Sequence, residues 1–470
     1  MPRTFQKKIR SATAQALLTA EPAFLSSREF GPFVRQGVGR GPSLLIGDQS
    51  EISLLRASGS QLDYRMSLLA HPGDYVLVRQ RTPAFEEYLA DYLNLVDVTF
   101  LQADRTDLAP VAAQALQLDS LINSCADAAR EFGGLTLKPY LTSGHIWRLA
   151  KKISETAIRD VHVCGPSPRI MRRANDKLWF SDLARQIIGT SATPPTRAAY
   201  GPAATAGLVR QISRTAKQVI IKVPDSAGSA GNIRLASDDI ADISVTELRR
   251  FLLSRLRRTG WQDRYPVLVG VWDQNVLCSP SVQLWLPHPQ DGRPRVDGIF
   301  EQRVKGDEGA FVGAARSTLP EPQQQQLATE ACQIAAVLQE LGYYGRCSLD
   351  AVICADNNGP EIIHWIECNG RWGGVSIPMT AAEQILGEPV VPTLLVVQEK
   401  LPDRRLTTPG MIKLLKDLLF QQGHTKSGLI IMSPPESENG TFVNLLAVGE
   451  SQNRADNYIA EAMKRIELVI

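Results

Sequence analysis

The order of apolar runs and turn residues predicts a mixed α/β and α+β protein built in three parts, spanning residues 1–165, 166–400 and 401–470. Three observations carry this. The front alternates short apolar runs with helical stretches, as small α/β domains do. The middle sets three strand candidates in quick succession before a long amphipathic helix and a hairpin. The tail offers helix, strand, strand and helix behind a charged linker. A chain of 470 residues also exceeds what one core accommodates.

In the front part, residues 43–46, 74–78 and 95–100 are apolar runs of strand length. Thr82-Pro83 opens a helical stretch over 84–93, so the flanking strands are expected to be partly parallel. Further helical stretches lie at 120–131 and near 146–156, and 161–164 is a strand entering Gly165-Pro166. No Gly-x-Gly-x-x-Gly follows these strands, so nothing supports dinucleotide binding. His162, within an apolar run, is expected to be a core residue.

In the middle part, Asp176 is placed to cap a helix with Leu178, Phe180, Leu183 and Ile187 on its apolar side. Lys177 in its first turn opposes the helix dipole, a mild sign of function against the plain alternative of a surface lysine. Pro194-Pro195 breaks the chain, 202–216 is helical, and 218–223 is a strand with Lys222 near its end. That strand feeds Ser226-Ala227-Gly228-Ser229-Ala230-Gly231-Asn232, a loop of small residues whose backbone N–H groups can approach an anion closely. It is not a Walker loop, and a bare small-residue loop is usually a turn; the strand-borne lysine points to phosphate. Residues 265–272, 281–286 and 296–304 are expected as three strands of one antiparallel sheet. Residues 322–341 form a helix with Leu327, Ala331, Ile334, Leu338 and Leu341 on one side.

The hairpin follows. Residues 347–354 are apolar apart from Asp350, Asp356-Asn357-Asn358-Gly359-Pro360 is a dense turn signal, and 362–369 return. With the loop centred between Asn358 and Gly359, Asp350 faces Glu367, and Asn369 lies two residues on, on the same face. Symmetric widening of the turn at Pro360 keeps this register, whereas a bulge would shift it. Two carboxylates and a carboxamide on one face call for a cation, and all-oxygen ligation selects Mg²⁺ (or Mn²⁺) before Zn²⁺. The plain alternative is a hairpin with a solvated acidic face. Beyond it, 380–386 is helical and 392–397 apolar; 401–405 looks like a linker before a helix at 411–421, strands at 429–432 and 443–448, and a last helix at 455–466.

Composition narrows the classes. With 44% hydrophobic and 21% charged residues and a net charge of +2, nothing recommends nucleic acid or an anionic membrane as partner. No apolar run approaches the ~18 residues of a membrane span. The apolar stretch behind the basic start is short for a signal peptide. The seven cysteines include no Cys-x-x-Cys, and the six histidines no His-Glu-x-x-His, so reduced core thiols in a cytoplasmic protein are expected and zinc hydrolysis is not.

Taken together, Asn175-Asp176-Lys177, strand-borne Lys222, the loop 226–232, Asp350 and Glu367-Cys368-Asn369-Gly370-Arg371 resemble the ATP-grasp superfamily of ligases over about residues 166–395. More narrowly, the layout resembles the pheganomycin-type peptide ligases, with a pre-ATP-grasp domain in front and a small C-terminal domain behind. The resemblance implies that Lys177, Lys222, Ser226, Gly228, Ser229 and Gly231 bind ATP and that Asp350, Glu367 and Asn369 hold the metal. Many members place a glutamate at the hinge strand, absent here at 267–272, so adenine is left to backbone groups, stacking or Asp273. The implied activity is ATP-dependent carboxylate–amine ligation through an acyl phosphate, with Lys222, Arg371 and Arg303 as catalytic candidates. Its acid would be amino-acid-like, N-guanidinylated in the pheganomycin type, and its amine an amino acid or peptide N-terminus. A homodimer is compatible with this layout. A phosphotransferase on the same scaffold and a catalytically silent nucleotide-binding subunit are the alternatives; the complete Lys, Lys, Asp, Glu, Asn set argues against the second.

Overall fold

The structure, a computed structural model, describes residues 3–26, 30–52, 60–103, 109–224, 226, 231–306, 309–355, 361–387, 394–401, 404–437 and 440–468. The turn 356–360, most of the loop 226–232 and part of the 401–405 linker therefore lie outside the described residues.

The front part is a six-stranded sheet of β1 (Val34–Gln36), β2 (Ser43–Ile46), β3 (Tyr75–Val78), β4 (Thr99–Gln102), β5 (Leu135–Pro139) and β6 (Val161–Val163), in the order β1-β6-β5-β2-β3-β4. Its pairs are parallel throughout. Parallel strands are covered on both faces, and Leu44, Leu45, Val76 and Leu77 are accordingly buried without alternation. The helices Pro83–Leu93, Asp119–Phe132 and Gly144–Ala157 fall where the sequence places them. The fourth strand does not. Asn94 and Asp97 take left-handed conformations (φ 53° and 57°), which turn the chain and delay β4 to Thr99.

A second sheet holds β7 (Thr196–Ala199), β8 (Gln218–Lys222), β9 (Ile233–Ala236) and β10 (Val267–Val271), in the order β7-β10-β8-β9. This corrects the expectation of three successive strands in one sheet. β10 pairs antiparallel with β7 and β8, burying Val267 and Val269 beside the helices Pro202–Ile212 and Val245–Arg258. Only after residues 272–275, with Asn275 left-handed (φ 54°), does the chain enter the next sheet.

That third sheet has ten strands: β11 (Val276–Cys278), β12 (Pro280–Leu286), β13 (Arg295–Lys305), β14 (Ala310–Arg316), β15 (Gly345–Cys354), β16 (Ile362–Asn369), β17 (Leu394–Leu401), β18 (Gly428–Ile431), β19 (Glu436–Ser437) and β20 (Gly440–Val448). Its spine runs β11-β15-β12-β13-β14-β17-β20-β18, with β16 on β15 and β19 on β20. The helix Glu321–Glu340 packs on one face through Leu327, Ala331, Ile334 and Leu338, as its spacing predicts. The tail has the expected α+β content, but it is not a detached appendage. β17 runs to Leu401 and pairs with β20 from Leu394↔Val448 to Leu401↔Thr441, so the third part continues the sheet of the second. It also packs on the front part, where the Tyr88 hydroxyl accepts from Ile431 N at 2.9 Å.

Candidate active site

The hairpin β15–β16 sets the site. Near the turn its pairs run from Cys354↔Ile362 to Ala351↔Trp365; a register shift then leaves Ile366 extra, and Asp350 faces Glu367. The register at the site is the one predicted, reached through a bulge instead of a symmetric turn. The bulge also turns both Ile366 and Glu367 toward one cavity of about 380 Å³. That is a volume typical of small-molecule sites. Beyond the bulge Ser348 faces Asn369, whose Nδ2 donates to Asp350 Oδ2 at 2.8 Å.

Lys177 and Lys222 line the same cavity. Asp176 caps the helix Lys177–Ile187, accepting from Leu178 N at 2.9 Å and Trp179 N at 3.2 Å, and this fixes Lys177 at the first helical position. The Lys177 ammonium is buried, 3.0 Å from Glu367 Oε2, and donates to the Ser226 carbonyl. Of the small-residue loop, Ser226 is buried, Gly231 is left-handed (φ 85°), and Asn232 reaches the cavity wall; Gly228 and Ser229 lie outside the described residues. Asp273 lines the cavity too, its carboxylate 3.0 Å from His364 Nδ1.

The electrostatics divide the two facing acids. Burial, then the Glu367 charge, push the Asp350 carboxyl up to about 6, against hydrogen bonds from Ser281 and Gln302 and the charge of Arg371. Burial also raises Glu367, but Lys177, Arg371 and Lys222 outweigh it and hold that carboxyl below its usual range. Burial depresses Lys222, aided by the like charge of Lys177 and opposed by Glu367 and Asp273. The two carboxylates with the Asn369 carboxamide, oxygen donors without thiolate or imidazole, are a donor set for a hard divalent cation.

Arg371 follows β16 and donates from Nη1 to Asn175 Oδ1 at 2.5 Å. Arg303 is corrected. Gln302 and Val304 line the cavity, so strand alternation turns Arg303 to the opposite face, where it pairs with Asp456 at 3.1 Å. Sequence reasoning missed Asn175, which also accepts from Gly370 N at 3.1 Å, and Ser281, which donates to Asp350 Oδ1 at 2.6 Å. Asn175 had a signal, sitting two residues before Lys177. Ser281 had none, because its pairing with Asp350 spans 69 residues.

Comparisons with known proteins agree with this architecture. Residues 63–154 match the model of the pre-ATP-grasp domain. No curated protein matches in sequence. Among solved structures, an ADP complex of PurK, N5-carboxyaminoimidazole ribonucleotide synthetase, is similar at TM-score 0.55 and 12% identity, over 92% of this chain and 99% of that one. Biotin carboxylase from Campylobacter jejuni, in a β-γ-ATP complex, is similar at 0.54 and 15%, over 91% and 92%. N5-carboxyaminoimidazole synthetase from Staphylococcus aureus is similar at 0.51 and 10%, over 93% and 100%. The chain has the ATP-grasp fold, with a pre-ATP-grasp domain at residues 63–154.

Proposed function

We propose that the protein is an ATP-dependent carboxylate–amine ligase that forms an amide or peptide bond through an acyl phosphate. One observation carries the reading: Asp350 and Glu367 line one cavity with Lys177 and Lys222, Glu367 pairs with the Lys177 ammonium, and Asn369 bonds to Asp350. The oxygens of the first three would hold Mg²⁺, which when bound neutralises charge on the outer phosphates. Lys177 and Lys222 neutralise phosphate oxygens from the other side. The wall from Val271 to Asn275 takes the adenine, with Asp273 held in place by His364. The loop ending at Gly231 closes over the phosphates and keeps water from the intermediate.

A carboxylate oxygen of the acid attacks the γ-phosphorus, and ADP leaves. The amine nitrogen then attacks the acyl carbon, phosphate leaves, and the nitrogen gives up its proton. Arg371, steadied by Asn175, orients the carboxylate or the departing phosphate. The acid is amino-acid-like and the amine an amino acid or peptide N-terminus. The seven cysteines, all free, support a reducing, cytoplasmic setting.

An acyl phosphate is electrophilic at carbon, and a phosphate ester made by a phosphotransferase is not. With acid, ATP and Mg²⁺, hydroxylamine in place of the amine is expected to yield a hydroxamate with ADP and inorganic phosphate. Lys222→Ala suppresses it. AMP and pyrophosphate would overturn the mechanism; a stable phosphorylated product without hydroxamate would make the protein a phosphotransferase.

A further inference from the structure

Four arginines gather where the front part meets the ten-stranded sheet. Asp350, Ser348 and Arg346 alternate along β15 and share a face, so Arg346 stands about 13 Å along the strand from the acidic pair. Its guanidinium lies between two tryptophans, 5.4 Å from the Trp285 ring centre and 5.2 Å from that of Trp372. Arg371 begins the segment that carries Trp372 and Gly373. Arg65, from the front part, reaches the Gly373 carbonyl through Nη2 at 3.4 Å. Arg316 on β14 lies 5.0 Å over the ring of Phe300.

These guanidinium groups are poorly matched by what surrounds them. Arg65 is only 2% exposed and Arg346 only 8%. Nε of Arg65, Arg346 and Arg371, and both Nε and Nη2 of Arg316, are buried without a hydrogen-bond partner among the described residues. The charges of Arg65, Arg346 and Arg316 stand beside two carboxylates, Asp297 and Glu383, while that of Arg371 acts on Asp350 and Glu367. Asp297 is taken by Arg346 at 2.5 Å and by Arg295 at 2.6 Å, and Glu383 makes no ion pair among the described residues. Arg65, Arg316 and Arg371 likewise have no carboxylate within ion-pair distance among the described residues. A guanidinium keeps its charge when buried and needs an anion to offset lost hydration. Buried guanidinium groups without a carboxylate partner, Arg65 and Arg316 above all, are what an anionic ligand would complete.

We propose that this seam receives the acid substrate of the ligase, and that the acid is a dianion. Its reacting carboxylate meets Arg371, and a second anionic group, carboxylate or phosphate, meets Arg65 and Arg316. The inference rests on the ligase reading above. It also disfavours a guanidino acid: the aromatic faces of Trp285, Trp372 and Phe300 that could stack on a substrate cation already carry Arg346 and Arg316.

The test runs the hydroxylamine assay with matched pairs: glutamate against glutamine, aspartate against asparagine, O-phosphoserine against serine, and guanidinoacetate alone. At least tenfold higher kcat/KM is expected for the acidic members, and which acid leads tells carboxylate from phosphate. Arg65→Met and Arg316→Met should each raise KM for the best acid at least tenfold while changing kcat little. Because each removes an uncompensated buried charge, neither should lower Tm. Equal use of neutral acids, preference for guanidinoacetate, or an unchanged preference in both variants overturns the proposal. Binding is read separately, as the Tm rise given by glutarate or 3-phosphoglycerate with ATP and Mg²⁺ present. A rise lost in both variants supports the anion pocket, even where no acid gives phosphate release and the ligase reading itself fails. No rise with either anion overturns the pocket, whatever the turnover.

Discussion

Asp350 and Glu367 face each other on one sheet, yet their partners pull them in opposite directions. Glu367 meets the Lys177 ammonium, while Asp350 meets the neutral hydroxyl of Ser281 and the carboxamide of Asn369. Glu367→Gln therefore removes the group that holds Lys177 as well as a proposed metal ligand. Turnover should fall by about two orders of magnitude or more, with the fold retained by circular dichroism. Activity should require Mg²⁺ or Mn²⁺ and be indifferent to zinc chelation; undiminished turnover of the variant in EDTA would remove the metal from the account. A second acid makes a separate test of stability. Asp63 is 4% exposed, and burial, with the charge of Asp48, pushes its carboxyl up to about 8 from its ordinary 3.8. The folded state thus binds a proton that the unfolded state has released, and stability is lost as pH rises from about 4 to about 8. Asp63→Asn keeps the acceptor for Arg79 N, 3.1 Å away, but cannot ionise. Its urea midpoint should exceed that of the parent at pH 8 and approach it at pH 5. Equal gaps at the two pH values would mean that Asp63 is already ionised.

At the scale of elements, local signals were legible and long-range ones were not. The helix Glu321–Glu340 and the N-cap at Asp176 follow from spacing and from one side chain bonding to N–H groups two and three residues on. The facing of Asp350 and Glu367 was legible too, although the bulge at Ile366 was not. The centred turn and the absent bulge are two omissions that cancel at residue 350. The helix Arg3–Ala20 went unread because its apolar residues, Ile9, Ala14, Leu17 and Leu18, are sparse among polar ones and matter through the distant helices they meet, Glu321–Glu340 and Lys177–Ile187. Sheet membership was out of reach for β10, since its neighbours β7 and β8 lie dozens of residues upstream. The glycine loop gives the prediction at this scale. Gly231 is left-handed (φ 85°), a conformation that β-branched residues resist. Gly231→Val should lower turnover at least tenfold while leaving Tm within a few degrees. Proteolysis of the parent between residues 226 and 232 should slow on adding ATP and Mg²⁺. Cleavage equal with and without nucleotide would make the segment an ordinary surface turn.

Across the whole molecule, the three sequence-defined parts do not correspond to three separable cores. One apolar cluster joins Tyr64, Phe85, Tyr88 and Leu89 of the front to Leu395 and Val396 of β17 and to Leu429, Leu445 and Leu446 of the tail. The backbone N–H of Trp372, next to the proposed catalytic arginine, donates to the Tyr140 carbonyl of the front part, 3.0 Å away. The tail therefore supports the segment that follows the hairpin, and its removal should be felt at the site. Ending the chain at residue 400 strips β20 from β17 and exposes Leu395 and Val396, both fully buried in the intact protein. It also deletes Val443, Leu445, Leu446 and Val448, likewise fully buried. Each such side chain contributes about 1.5–3 kcal/mol on burial, so these few alone rival the ~5–15 kcal/mol by which a typical domain is stable. The bared β17 is in addition an apolar edge open to pairing with other chains. A protein of residues 1–400 should accumulate as insoluble aggregate under conditions where the 470-residue chain is soluble. Co-expressing residues 401–470 as a separate chain should recover part of the soluble material, because the lost contacts are noncovalent and the break falls at the end of β17. A soluble, monodisperse 1–400 chain with an unchanged Tm would show that the tail is an appendage after all, and would leave its shared sheet without energetic weight.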